Sequence, residues 1–91
     1  VNSSVAVRIS DSLQLQIYEE GGAHRVALVN DLQEDIAVIQ VMDFQRLLKR
    51  PGTIIASAPV ELRNEQRQII VRLRGRIVGQ VEKHQIVAAM P

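Results

Sequence analysis

The chain has 91 residues, 46% hydrophobic and 23% charged, with a net charge of +1. That balance is globular rather than disordered, and no apolar run approaches the ~20 residues of a membrane-spanning helix. Cysteine is absent, which excludes a disulfide framework, a thiolate metal site and a cysteine nucleophile.

A chain of this length makes one domain, residues 1–91, burying about 64% of its unfolded surface. Valine and isoleucine supply 22 residues, against one tyrosine and one phenylalanine. β-branched side chains suit a pleated sheet and lose rotamer freedom in a helix, so the expected fold is mainly β. The scarcity of aromatic rings removes the stacking platforms on which single-stranded nucleic acids are usually held.

Residues 1–4 read as a loose polar lead. Val5, Val7 and Ile9 alternate with smaller or polar residues, the period of a half-buried strand. Leu13, Leu15 and Ile17 repeat that period. Glu20-Gly21-Gly22 then supplies a glycine turn, so residues 13–29 form a hairpin. Asn30 to Asp35 is a polar connection. Ile36 to Met42 follows, apolar on both faces apart from Gln40, and such a strand needs cover on both sides.

Asp43 is an N-cap candidate, and Phe44, Leu47 and Leu48 share one helical face. Lys49 and Arg50 suit a last turn, and Pro51-Gly52 ends the element, giving one short helix at about 43–50. Thr53 to Ala56 and Val60 to Leu62 are short strands. From Ile69 to Glu82 a long alternation reads as two strands broken near Gly75, or one bent strand with a glycine bulge. Glu82 to His84 turns, and Gln85 to Met90 closes as an apolar strand. The expected architecture is therefore a small barrel or an intertwined β dimer with one short helix.

Charge is segregated along the chain. Residues 1–42 carry two arginines against six carboxylates, and residues 43–91 carry nine Lys/Arg against four. Arg72, Arg74 and Arg76 recur at period two, which in an extended segment points them one way at a repeat of about 7 Å. That spacing matches a nucleic-acid backbone, and it equally suits the solvated outer face of a sheet. Arg63, Arg67, Lys49 and Arg50 would extend the patch if the fold brought them to the same face.

Nothing marks an enzyme. His24 and His84 are isolated, the pairs Glu19/Glu20 and Glu34/Asp35 lie in turns, and Gly21-Gly22 lacks the pattern of a phosphate loop. No cofactor and no metal are expected. Residues 1–25 lack the basic start and apolar run of a signal peptide, so the expected location is cytoplasmic.

From Met42 to Met90 the chain resembles the SpoA-type domain of flagellar switch and type III secretion sorting-platform proteins. The residues that carry the likeness are Leu47 and Leu48, then Pro51-Gly52-Thr53-Ile54-Ile55, then Ile69 to Val78 around Gly75, with Glu82 beyond. The family's glycine ahead of that glutamate is Val81 here, and its leucine-glycine-arginine segment before the helix is replaced by Ile36–Val41. The resemblance implies an intertwined β dimer, a place in a cytoplasmic assembly and no catalytic residues.

The sequence thus favours a non-enzymatic assembly or protein-interaction module, a homodimer that also meets another protein. The two-faced segments nominate Ile36, Val38, Ile39, Val41, Ile86 and Val87 as dimer contacts. The alternative is a nucleic-acid-binding β module that uses Arg72, Arg74 and Arg76.

Overall fold

A computed structural model describes residues 4–90. Eight strands form two four-stranded antiparallel sheets, each a simple meander. The first sheet comprises β1 (Ser4–Ser10), β2 (Leu13–Glu20), β3 (Ala23–Asn30) and β4 (Asp35–Gln40). Helix α1 (Val41–Lys49) follows directly. The second sheet comprises β5 (Ile54–Ser57), β6 (Val60–Asn64), β7 (Gln68–Leu73) and β8 (Arg76–Glu82), and helix α2 (Lys83–Ala89) follows it in turn. No helix is long and apolar enough to cross a membrane.

The expected β character is realised, as a barrel-like pair of sheets that does not close by backbone pairing. Residues 1–3 of the expected lead lie outside the described residues, and Ser4 already belongs to β1. Strand β2 shows the alternation most plainly. Leu13, Leu15 and Ile17 are buried, while Gln14, Gln16 and Tyr18 between them are only half-buried. The β2–β3 hairpin turns on Gly21 and Gly22, both in the left-handed region (φ 61 and 81) that glycine enters without steric cost.

Three expectations need correction. The strand covered on both faces is β3, where Val26, Ala27, Leu28 and Val29 are all buried. Strand β4 alternates instead, with Ala37 and Ile39 inward and Val38 outward. The segment read as one strand to Met42 leaves the sheet at Gln40, so α1 begins two residues earlier than expected. Residues 85–89 belong to a helix, not a strand, and Met90 caps its end. Ile86 sits there at 0% exposure, and the Met90 amide donates back to the carbonyls of Ile86 and Val87. The fold therefore has two helices where one was expected. A six-residue apolar run cannot separate the two periods, and the paired alanines favour helix.

The second half repeats the element order of the first: four meandering strands, then a helix whose N-cap is the last strand residue. The spacing between the caps Gln40 and Glu82 also relates Ile39 to Val81 and Phe44 to Ile86, all of them buried. The contacts are reciprocal too. β1 packs on β8 and β4 on β5, while α1 touches β4 and β5 as α2 touches β8 and β1. The two halves thus share an element order and a reciprocal set of contacts.

The core lies between the sheets, with Leu15, Leu28, Leu62, Ile69 and Val71 essentially without exposure. The helices plug its open sides through Phe44, Leu47 and Ile86. Gly79 marks the tightest seam. A Cβ there would lie 2.5 Å from Ile9 Cγ2 and 2.7 Å from the Ile9 carbonyl oxygen, so only glycine lets β8 approach β1 this closely.

Asn64 is the one buried polar side chain among the described residues, at 0% exposure. Its Nδ2 donates to the Leu47 carbonyl (2.8 Å), and its Oδ1 accepts from the Gln66 amide (2.7 Å). Its backbone carbonyl accepts from Gly52 N (2.8 Å) and its amide donates to the Thr53 carbonyl (3.0 Å). One residue thus ties the end of α1, the exit loop and the β6–β7 turn together.

Candidate interaction surface along the two helices

The arginine stripe expected on one face is broken by a turn. Arg74 and Gly75 form the two-residue β7–β8 connection, both left-handed (φ 52 and 82). Arg72 pairs across the sheet with Ile77, and Leu73 with Arg76. Directly paired residues share a face, so Arg72 and Arg76 stand on opposite faces. Arg72 also lies 3.8 Å from Glu61 on β6, which offsets its charge. The three arginines do not make one row.

The dimer candidates divide as well. Ile39 and Ile86 are buried in the chain's own core, at 2% and 0% exposure, and Ile36 and Val41 are half-buried against it. Val38 and Val87 remain on the surface. Val38 stands beside the β4–β5 seam, where Ser57 Oγ donates to the Val38 carbonyl (3.3 Å).

A different surface emerges where α1 and α2 lie side by side. The hollow between them is lined by Gln45, Leu48 and Lys49 from α1 and by Val87 and Met90 from α2, with a volume near 480 Å³. The spacing that relates the two halves also relates Gln45 to Val87 and Leu48 to Met90. The hollow therefore draws corresponding positions from the two halves. Its floor is apolar because each helix turns its core-facing stripe inward and leaves the margin of that stripe at the junction.

Two further hollows join it. On one flank, Lys49 is shared with a recess lined by Arg46, Arg50, Thr53 and Ile54. On the other, Val87 is shared with a recess of about 510 Å³ lined by Gln66, Arg67, Glu82, Lys83 and His84. Five cations thus border the three hollows, whose lining includes one carboxylate, Glu82, which accepts from Gln68 Nε2 (3.2 Å). Arg46 is paired with Asp43 at 3.4 Å. Lys49, Arg50, Arg67 and Lys83 make no ion pair among the described residues. Unneutralised cations on a part-apolar surface attract anionic groups and give apolar ones a place to dock.

Sequence reasoning named Lys49, Arg50 and Arg67 as possible extensions of the arginine stripe; the fold puts Lys49 and Arg50 in one recess and Arg67 in another, on either flank of the interhelical hollow. Arg63 goes elsewhere, pairing with Glu65 at 3.1 Å. Lys83, His84 and Met90 were missed because their segment was read as turn and strand. Helical spacing of Lys83, Val87 and Met90 was the signal that would have found them.

The opposite character appears at the far end of the first sheet. The β1–β2 and β3–β4 turns carry Asp11, Asp31 and Glu34, Asp35 opens β4, and Leu32 is 74% exposed in the β3–β4 turn. Asn30 shapes this loop. Its Oδ1 accepts from the amides of Leu32 (3.0 Å) and Glu34 (2.9 Å), and its Nδ2 donates to the Glu34 carboxylate (2.9 Å). Asp11, Asp31 and Asp35 make no ion pair among the described residues. At the other end of β2 and β3 the charges are matched, with His24 near Glu19 (3.8 Å) and Arg25 on Glu20 (3.3 Å).

Both histidines are exposed, and no group of three or more His, Asp or Glu converges among the described residues. Compared with protein-family models, with curated proteins and with solved structures, the chain finds no match in any of the three.

Proposed function

We propose that this chain is a non-enzymatic assembly module that works by binding protein, its own copies included, with a homodimer as the first step. The observation that carries the reading is the surface along α1 and α2. An apolar floor of Leu48, Val87 and Met90 is rimmed by Lys49, Arg50, Arg67 and Lys83, which make no ion pair among the described residues. A phosphate backbone has no use for an apolar floor, whereas an acidic protein surface with apolar side chains fits floor and rim together. The likeness of residues 42–90 to SpoA-type domains leans the same way, toward a part of a cytoplasmic platform. A cysteine-free chain suits that compartment.

The test is molar mass by light scattering over a concentration series at two salt levels. Masses rising above the 10.2 kDa chain support the reading. A mass fixed at one chain throughout overturns assembly through self-association.

A second reading, binding to a nucleic-acid backbone, draws on the same four cations. It expects binding to duplex DNA or RNA at about 50 mM salt that weakens steeply as salt rises, because bound phosphates release counterions. Absence of binding at that salt removes it.

A further inference from the structure

The surface between the helices and the acidic loop of the first sheet are complementary in two independent respects. The hollow has an apolar floor and a cationic rim. The loop has an apolar tip, Leu32, and a net anionic surround, Asp31, Glu34 and Asp35, with Asp11 beside it and Arg8 as the one cation in the recess that Asp11 and Asp31 line. The two features cannot meet within one chain. Strand β4 starts at the loop and ends at α1, so it holds them at opposite ends of the first sheet.

We propose that the occupant of the interhelical hollow is the Asn30–Asp35 loop of a second copy, joined head to tail. This deepens the assembly reading and rests on it. Leu32 of one copy sits on Leu48, Val87 and Met90 of the next, and its acidic neighbours face Lys49, Arg50, Arg67 and Lys83. A contact between two different patches is heterologous, so a pair of copies keeps one loop and one hollow free, one on each copy. Dimers then extend into longer chains, or into a ring where the rotation closes. The charge complement sets orientation and speeds encounter, and the leucine supplies the desolvated anchor.

The test uses two variants and their mixture. The hollow variant carries Lys49→Glu and Lys83→Glu. The loop variant carries Asp31→Lys and Leu32→Ser. All four positions are surface residues outside the buried core, and circular dichroism checks that each variant keeps the wild-type fold.

The wild type is expected to grow with concentration at low salt, with an apparent Kd at least about tenfold weaker at high salt, as a charge-steered contact requires. Each variant alone stays at the mass of one chain. Mixed together they form a one-to-one complex and stop, because the hollow variant still offers a good loop and the loop variant a good hollow. Wild-type association that both variants retain overturns the head-to-tail contact while leaving assembly by another surface standing. Variants that lose association but fail to pair when mixed also overturn it, since a symmetric interface behaves that way. A wild type that never exceeds one chain overturns both readings at once.

Discussion

Replacing Asn64 separates a hydrogen-bonding role from a packing role, because aspartate has the same shape but no donor. In the native fold the amide nitrogen serves the Leu47 carbonyl at 2.8 Å and the amide oxygen serves the Gln66 amide at 2.7 Å. Asn64→Ala leaves both groups without that partner. A buried orphaned carbonyl costs about 1–3 kcal/mol, and a lost bond at the half-exposed Gln66 amide about 0.5–1.5 kcal/mol. The expected loss is therefore about 2–4 kcal/mol, a large share of the ~5–14 kcal/mol that a domain of this size commonly has.

Asn64→Asp keeps the bond to Gln66 but turns a carboxylate oxygen toward the Leu47 carbonyl. Removing the donor from a buried site and adding a charge costs at least as much as the alanine change at neutral pH. The sign of its pH dependence follows. Burial against an acceptor raises the folded-state pKa of the new carboxyl above the unfolded value of about 3.9. The penalty is absent while both states are protonated and grows as pH rises, by about 1.4 kcal/mol per unit, until the folded-state pKa is passed. Urea unfolding followed by far-ultraviolet circular dichroism at several pH values measures this. The aspartate variant should gain on the alanine variant as pH falls toward 4. An alanine variant within about 0.5 kcal/mol of wild type, the range of ordinary surface changes, would refute the reasoning. So would two variants that respond to pH in parallel.

Gly79→Ala forces a methyl group against the Ile9 backbone, and such overpacking costs about 1–3 kcal/mol. Trimming the neighbour in Ile9→Ala with Gly79→Ala should recover little, because the Ile9 carbonyl oxygen stays 2.7 Å from the new Cβ; full rescue in a double-mutant cycle contradicts this. Tyr18 is the chain's one tyrosine, so phenolate absorbance reports it alone. Burial raises its pKa above the ordinary 10.0, helped by the carboxylates of Asp35 and Glu20 and opposed by Arg25. The folded chain should titrate above the urea-unfolded chain, and Tyr18's contribution to stability is intact below pH 10 and lost as pH climbs through the folded-state pKa. Coincident titration curves would contradict the shift.

Much of the first sheet was legible. Alternation in Leu13–Ile17 and the Gly21-Gly22 turn give β2, β3 and their hairpin without reference to the rest of the fold. The β7–β8 break near Gly75 was also readable, because glycine there permits the left-handed turn. What that turn did to the arginines was not. A periodicity argument assumes an unbroken strand, and one two-residue turn moves Arg76 to the opposite face from Arg72. Helix α2 was hidden because its apolar residues follow a long period-two stretch and are too few to announce a new period. The basic surface draws on three separated stretches, around Lys49, Arg67 and Lys83, and only the packing of one half on the other assembles them. The internal repeat escaped notice for a related reason. Matched positions such as Phe44 and Ile86 share burial, not side-chain identity.

That repeat bears on direction. A groove on a true two-fold axis presents the same face whichever way round its occupant lies, so it cannot tell one orientation from the reverse. In this chain corresponding positions of the two halves meet at the groove without being equivalent, since Gln45 answers Val87, and Lys83 and His84 on one side answer Val41 and Met42 on the other. Joining both halves in one polypeptide lets them diverge in charge while keeping their shared packing. The groove therefore has a front and a back, and whatever lies in it acquires a polarity that a symmetric pair of identical halves would be unable to impose.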